Sequence, residues 1–506
     1  MAEQDDIIAF LSDPSNLDGA TDVERIDTHC SIVFLAGPRA YKLKRAIRLP
    51  YLDYSTPEKR RRMCESELTL NRRTAPEIYE RVAAVTREAD GNLALGGRGA
   101  PLDWVVVMKR FPEDGVLDHM ADEGRLDISV MERLADEIAR FHAGIEIHRE
   151  AGGAGPLREV FDTNLEAFRA YGPEILDMGK VGQLDADLRA SLARNEALLE
   201  RRRTQGKVRQ CHGDLHLRNI VMLDGRPTPF DGIEFDDAIA RIDVLYDLAF
   251  LIMDLEKRAL RPQANSVFNR YLADTGEWEG LPLMPMFLAN RAAIRSHVAG
   301  AARTQSKGEK AEQQAQEARE YLELALSLLS PPPPRLIAVG GLSGTGKSTL
   351  ARVLAPAYGA APGAVVLRSD LIRKEMAGVD PATRLPAESY TREASASVYT
   401  RLCERAADAL AAGHAVVADA VFADPAERAA IEAVARKAGV AFNGLWLNGS
   451  QAVLEARIAA RRGDASDATV DVLRRQTGFD LGAMNWTRVN ADGDAQETEA
   501  RARRAL

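Results

Sequence analysis

Hydrophobic and polar positions along the chain fall into two regimes. From residue 335 onward, short apolar runs recur at Leu336–Val339, Ala364–Leu367, Ala415–Ala418 and Phe442–Leu447. Ala- and Arg-rich stretches such as Ser397–Ala412 and Ala426–Lys437 lie between them. Strands apolar on both faces and alternating with helices predict a parallel sheet covered on both sides. Before about residue 305 the pattern differs. Strand-like segments cluster early, at Ser31–Leu35, Ala40–Lys44, Val82–Thr86 and Trp104–Met108. The rest reads as mostly helical, with an irregular Gly- and Asp-containing stretch from His212 to Asp237 and no internal repeat. A small β-rich lobe followed by a larger helical lobe is an α+β pattern.

Between the two regimes, Lys307–Leu329 is rich in Glu, Gln, Ala, Lys and Leu and predicts a helix; Pro331–Pro334 follows it. Four prolines cannot continue a helix or join a sheet ladder, and they favour stiff polyproline II. The expected organisation is a first domain over 1–305, a helix and tetra-proline linker over 306–334, and a second domain over 335–506.

Composition narrows the class. Lys and Arg number 66 and Asp and Glu 75 in 506 residues, a formal net charge of −9. A dedicated nucleic-acid coat or membrane-surface protein would want an overall basic field. The four cysteines, Cys30, Cys64, Cys211 and Cys403, form no CxxC pair, so neither a zinc site nor a disulfide framework is expected. The first residues are acidic where a signal peptide would be basic, and no apolar run approaches the ~18 residues of a membrane span. A cytoplasmic location and no membrane partner are the expectations; nothing in the sequence sets an oligomeric state.

The most specific chemistry is Gly341-Leu-Ser-Gly-Thr-Gly346-Lys347-Ser348, directly after a predicted strand and before a predicted helix. Glycines let backbone N–H groups curl around a phosphate, and the following helix adds its positive end. Gly341, Ser343, Gly344, Thr345, Gly346, Lys347, Ser348 and Thr349 are therefore candidate ATP contacts. Lys347 is expected on the β- and γ-phosphates and Ser348 on Mg²⁺. Asp370 ends the next strand, on the edge where open α/β sheets bind ligands. It could take the proton of an attacking hydroxyl or simply cap a helix; Arg373, one turn on, could hold an anionic part of the acceptor. Asp419 ends the strand Ala415–Ala418 and suits a carboxylate near magnesium, or a turn. Arg457 and Arg461 are four apart and share a helix face, either closing over phosphates or facing solvent.

A P-loop followed by Asp-x-x-Arg, a strand-end Asp and paired arginines resembles the small P-loop kinases of the polynucleotide kinase, zeta toxin and gluconate kinase group. The resemblance covers about residues 335–506. It implies Asp370 as general base, Arg373 as acceptor-binding residue, Arg457 and Arg461 as lid residues, and 462–467 as a mobile lid.

A second constellation lies upstream. His212-Gly-Asp214-Leu-His-Leu-Arg-Asn219 is followed by Phe230-Asp231-Gly232, with Ile220–Leu223 as a small hairpin strand between. A carboxylate to orient or deprotonate a hydroxyl, an amide five residues on and a later Asp are what magnesium-assisted phosphoryl transfer uses. The alternative is two turns rich in Gly and Asp.

This order resembles the aminoglycoside phosphotransferase and choline kinase branch of the protein-kinase-like fold, over about residues 25–300. It implies Asp214 as catalytic base and Asn219 and Asp231 as Mg²⁺ ligands. Lys42 is implied on the nucleotide phosphates, with Lys44 as its alternative, and Glu67 as its helix partner, with Glu65 second. The turn Asp27–Ser31 lacks the glycines kinases place over the phosphates. Asp243 and Asp247 read as structural, and Arg201–Arg203 as a solvated face.

The stretches Thr28–Lys44 and Asp231–Phe235 make the whole chain resemble bacterial fusions of an aminoglycoside phosphotransferase-like domain with a P-loop ATP-binding domain. The fold expected is an α+β bilobal protein-kinase-like domain followed by an α/β P-loop NTPase domain with a parallel sheet. The function expected is an ATP- and Mg²⁺-dependent kinase acting on a small-molecule hydroxyl substrate at two sites. Alternatives are a non-catalytic, regulatory first domain, and a P-loop half acting on a nucleic-acid 5′-hydroxyl, the less favoured acceptor, or on a nucleotide-sugar.

Overall fold

The computed structural model describes residues 2–49, 52–460 and 465–506. Two units emerge, Met1–Val160 with Glu196–Asp254, and Phe161–Asn195 with Leu255–Leu506.

In the first unit, alternation of side chains builds an antiparallel sheet from β1 (Glu24–Asp27), β2 (Ser31–Ala36), β3 (Arg39–Lys44), β4 (Tyr79–Arg87), β5 (Leu93–Leu95) and β6 (Ala100–Lys109). The spatial order is β1-β2-β3-β6-β4-β5. Odd-numbered residues of β3, Tyr41 and Leu43, pack with Phe34, Val85 and Val107 in one core. Its even-numbered residues face the other way, where Ala40 joins Val106 and Cys64. Cys64 belongs to the helix Pro57–Asn71, whose buried positions Arg60, Cys64, Glu67 and Asn71 follow helical spacing. Thr56 caps that helix by accepting the Lys59 N–H (3.3 Å). The period of two in β3 and of 3.6 in the helix together bring Lys42 and Lys44 to Glu67. The small hairpin forms as β7 (Ile220–Leu223) and β8 (Arg226–Pro229), turning through Asp224 (φ 48°) and Gly225 (φ 78°). Two left-handed residues in a two-residue loop suit the right-handed twist of a hairpin.

In the second unit, β9 (Arg335–Gly341), β10 (Val365–Arg368), β11 (Val416–Asp419), β12 (Ala441–Asn448) and β13 (Thr487–Asn490) form a parallel sheet in the order β10-β11-β9-β12-β13. Ile337, Val339, Val417, Leu445 and Leu447 are buried with Leu350 and Leu354 of the helix Lys347–Leu354. The predicted linker helix is Glu309–Leu329. Rather than standing free it packs on the helix Met284–Thr304, where Ser296 Oγ donates to the Ala318 carbonyl (2.7 Å).

The outer edge of β10 is closed by a side-chain ladder. On the helix Arg261–Thr275, Asn269 Oδ1 accepts the Val366 N–H (2.7 Å), and its Nδ2 donates to Ala364 O (3.2 Å). Asn265 Nδ2 donates to the same carbonyl (3.1 Å). A carboxamide here stands in for a neighbouring strand, which blunts an otherwise open edge. Removing it leaves the Val366 amide without that acceptor, at a cost of about 1–3 kcal/mol. Asn269→Ala should therefore speed hydrogen exchange at Val366 by roughly 10–100-fold; an unchanged rate would mean that the edge is held by other contacts.

Strands β1 and β13 carried no readable pattern: β1 is exposed at all its positions, and only Val489 of β13 is buried. Among the described residues no helix is long and apolar enough to cross a membrane.

Candidate active sites

In the first unit the backbones of the two motifs run together. His212 O accepts Ile233 N–H (2.9 Å), and Asn219 O accepts Phe230 N–H (2.9 Å). His212 Nε2 donates to Phe230 O (2.9 Å), and burial pushes its ring below the ordinary histidine range. Asn219 Nδ2 donates to Asp214 Oδ2 (2.9 Å) and to the Asp214 carbonyl (3.0 Å), so the candidate base and candidate ligand are held as one group. His216 Nε2 also lies 3.3 Å from Asp214 Oδ2.

Under the His-Gly-Asp turn sits Asp247. It opens no helix as a cap; Asp243 does that, accepting Leu245 N–H (2.8 Å). Asp247 instead accepts the N–H groups of His212 (3.1 Å) and Gly213 (2.8 Å), and His142 Nε2 stands 3.0 Å from its Oδ2. These bonds engage the carboxylate of the His142, Cys211 and Asp247 cluster, whose donor atoms all lie within 4.8 Å of one another.

Lys42 Nζ lies 2.9 Å from Glu67 Oε1 and 2.5 Å from Asp231 Oδ1. Lys44, the alternative, also reaches Glu67, at Oε2 (2.6 Å), and pairs with Glu234. Burial alone would raise the Glu67 carboxyl, but the two ammonium groups hold it well below the usual range. Glu65 points elsewhere, to Arg61 on the surface. Asp231 sits in left-handed backbone (φ 60°), unusual for a residue with a side chain. Its N–H donates to the Tyr79 hydroxyl (3.1 Å). The glycine-free turn before β2 is pinned by Thr28, whose N–H and hydroxyl both donate to Ser31 O (2.9 Å each).

In the second unit a cleft of about 1280 Å³ opens beside the P-loop, and Lys347, Asp370, Arg373, Asp419 and Arg457 all line it, with Ser343–Thr349. Gly344 (φ 84°) approaches so closely that a Cβ would lie 2.7 Å from Leu454 O; only glycine fits. Lys347 Nζ donates to Leu342 O (3.0 Å), folding the lysine over its own loop. Ser348 Oγ donates to Asp419 Oδ2 (2.5 Å), and Arg368 Nε lies 3.4 Å from the same oxygen. A hydroxyl and a carboxylate thus converge beside the P-loop lysine, the hard-oxygen donor set that suits Mg²⁺.

Asp370 is not a helix cap. The helix Ser369–Met376 has Arg368 at its cap position, with Asp370 inside the first turn. Burial and the neighbouring Asp419 push its carboxyl up. Arg373 donates to Ser389 O (2.5 Å) and stacks over Tyr390 at 4.8 Å, and its Nε is buried without a hydrogen-bond partner among the described residues. Arg457 Nη2 donates to Gly493 O (2.5 Å). Arg461, with residues 462–464 of the expected lid, lies outside the described residues. Asp467, at the lid's far end, is tied to Lys374 (3.1 Å), Leu385 N–H (2.9 Å) and the Tyr390 hydroxyl (2.6 Å).

Three participants were missed from the sequence. Gln476 Oε1 accepts the Ser343 N–H (2.9 Å) of the P-loop, Glu234 meets Lys44, and Glu427 lines the cleft with Tyr399. Gln476 and Glu427 lie in no motif, and Glu234, though inside the Asp231–Phe235 stretch, carried no sign of the partner it would meet. Burial pushes the Glu427 carboxyl up to about 7, against the Tyr399 hydroxyl hydrogen-bonded to it. The folded chain then keeps this proton where the unfolded chain, near 4.5, has lost it. Glu427 therefore costs stability as pH rises from about 4.5 to about 7, and the cost stays constant above. Glu427→Gln should remove that slope, gaining at most about 3 kcal/mol at pH 8 relative to pH 4.5. Thermal midpoints of both proteins at the two pH values measure it; parallel curves would contradict it.

Comparison with known proteins matches each half separately. Residues 70–281 match the model of the phosphotransferase enzyme family, and residues 336–479 match an AAA domain model. Along most of its length the chain is similar to the uncharacterized protein Rv2004c of Mycobacterium tuberculosis, 29% identical over 467 residues, covering 90% of each. Among solved structures, a gluconokinase from Sinorhizobium meliloti is 24% identical, covering 34% of this chain and 94% of that one, with a TM-score of 0.25. A choline/ethanolamine kinase family protein from Mesorhizobium loti is 15% identical, covering 64% and 99%, with a TM-score of 0.38. With the phosphotransferase-family match spanning Asp214, Asn219 and Asp231 and the AAA match spanning the P-loop, in chain order, this is a kinase-type phosphotransferase in which a region matching the phosphotransferase family is fused to a P-loop region.

Proposed function

We propose that the chain transfers the γ-phosphoryl group of ATP, with Mg²⁺, to small-molecule hydroxyl acceptors at two sites, acting in the cytoplasm. The observation that carries this reading is the first site. There Asp214 is bound to Asn219, and Lys42 bridges Glu67 and Asp231, so base, amide, lysine and second carboxylate are all in hydrogen-bonding reach of a partner.

At that site Asp214 accepts the acceptor's proton as the hydroxyl attacks, and Asn219 keeps the carboxylate oriented. Lys42 meets phosphate oxygens, while Glu67 keeps its ammonium aimed. Asn219 and Asp231 would hold the metal. At the P-loop site Asp370 is the base; its raised carboxyl suits proton acceptance nearer neutrality. Arg373 binds the acceptor through its unpartnered Nε–H, Lys347 and the loop amides cradle phosphate, and Arg457, with Arg461, covers it. Ser348 and Asp419 would hold the metal. Bound magnesium neutralises charge on the phosphoryl oxygens.

A second reading rests on the glycine-free turn before β2: the first unit binds a ligand and regulates the P-loop kinase without transferring phosphate. Incubation with γ-labelled ATP and a fractionated cell extract tests the proposal. Label in a small-molecule fraction, retained in part by Lys347→Ala, supports two small-molecule sites. Label in nucleic acid instead sinks the acceptor assignment, and complete loss in Lys347→Ala favours the regulatory reading.

A further inference from the structure

A strand carrying Lys-x-Lys on one face sends two ammonium groups to the same neighbour, and here both reach Glu67. Its Oε1 meets Lys42 (2.9 Å) and its Oε2 meets Lys44 (2.6 Å). The two lysines differ in surroundings. Lys42 keeps 14% of its side chain exposed and also touches Asp231; Lys44 keeps 1% and pairs with Glu234, itself 6% exposed. Tyr54 completes the buried group, donating its hydroxyl to Glu234 Oε1 (2.8 Å) beneath the Lys44 ammonium, which lies 5.0 Å from the ring centre.

Glu234 stands three residues after Asp231, at the other end of a short, otherwise irregular loop. Between them Gly232 is clasped by Asn71, whose Oδ1 accepts its N–H (2.7 Å) and whose Nδ2 approaches its carbonyl (3.4 Å). The loop is thereby tacked at both ends to the helix and strand that carry Glu67, Lys42 and Lys44. Asp231 holds a left-handed backbone that a non-glycine residue adopts only when its surroundings impose it.

We infer that Lys44 and Glu234 form a buried charge latch that positions Asp231 and Glu67 independently of what Lys42 binds. This rests on the first site being a Mg·nucleotide site. With one lysine, Glu67 would have to share its sole ammonium with the phosphate oxygens, and a buried carboxylate with an incomplete set of partners is costly. With two, one carboxylate oxygen keeps Lys44 throughout. Asp231 can then exchange Lys42 for a metal ion while Glu234 holds the loop still. Lys44 and Glu234 are positioning residues; neither is assigned a contact with the nucleotide.

The test uses the full chain carrying Lys347→Ala, so that only the first site reports, with the non-hydrolysable analogue adenylyl imidodiphosphate as probe. Glu234→Gln and Lys44→Met are compared with the parent, and Tyr54→Phe serves as a milder variant should a buried charge left alone prevent folding. Expected for Glu234→Gln is a Mg²⁺ concentration for half-maximal analogue binding at least about 10-fold higher, with metal-free affinity changed by less than about 3-fold. Hydrogen exchange at residues 231–234 in the nucleotide-free protein should speed by about 10-fold or more. Tyr54→Phe should move both readouts the same way by less, and Lys44→Met combined with Glu234→Gln should be no worse than the weaker single variant.

Unchanged Mg²⁺ dependence, or metal-free and metal-dependent affinity falling in equal proportion, would overturn the latch and leave a merely structural ion pair. If the Lys347→Ala parent itself binds no analogue, the nucleotide-site reading of the first unit fails, and the latch falls with it.

Discussion

Lys347→Ala should lower phosphoryl transfer at the P-loop site by about 10³-fold or more, in a chain whose first site is silenced by Asp214→Asn. Lys347 sits in the cleft at the head of the helix Lys347–Leu354, and its Nζ donates to the Leu342 carbonyl of its own loop (3.0 Å). A cation beside the phosphate-binding loop, worth most as charge develops, is the property that truncation removes. Structure should suffer little, because Gly344 and the packing of Leu350 and Leu354 do not depend on the ammonium. Single-turnover transfer of label from γ-labelled ATP to the small-molecule fraction measures it. A loss below tenfold would mean that the arginines or loop amides carry the phosphate without the lysine.

Asp214→Asn, in a chain carrying Lys347→Ala, should reduce transfer at the first site by about 10²–10⁴-fold while leaving nucleotide affinity within a few-fold of its parent. The asparagine oxygen can still accept the Asn219 amide that now bonds Asp214 Oδ2 at 2.9 Å, so the turn should keep its shape. It cannot accept the acceptor's proton. Lys42, Glu67 and Asp231, which meet the nucleotide end, are untouched. The effect should therefore fall on turnover and not on binding. Equal losses in both would show that Asp214 holds the site together and does not act on the acceptor.

The two sites were legible to different depths. The P-loop was readable because its demands are local: glycines, a lysine and a hydroxyl at fixed spacing between a strand and a helix. The pairing of Lys42 with Glu67 was expected only from the resemblance to the phosphotransferase branch; the strand period of two and the helix period of 3.6 are how the fold brings the two side chains together. What stayed hidden was long-range or lay on exposed edges. Asp247 looks like a helix cap in sequence, yet its oxygens serve amides at 212 and 213, more than thirty residues away. Glu234 was one carboxylate in a dense acidic stretch until folding buried it against Lys44. Asn265 and Asn269 carry no motif, and their function as an edge for β10 exists only because a helix from the first 305 residues lies beside the P-loop sheet. For the same reason the proline boundary, plain in composition, does not mark where contacts divide the chain.

Counting nucleotide sites tests the central claim most directly. Equilibrium titration of the full chain with Mg²⁺ and adenylyl imidodiphosphate should saturate at two equivalents per chain. One equivalent should remain in Lys347→Ala, and one, the other, in Lys42→Met. Saturation of the unaltered chain at a single equivalent, abolished by Lys347→Ala, would contradict it.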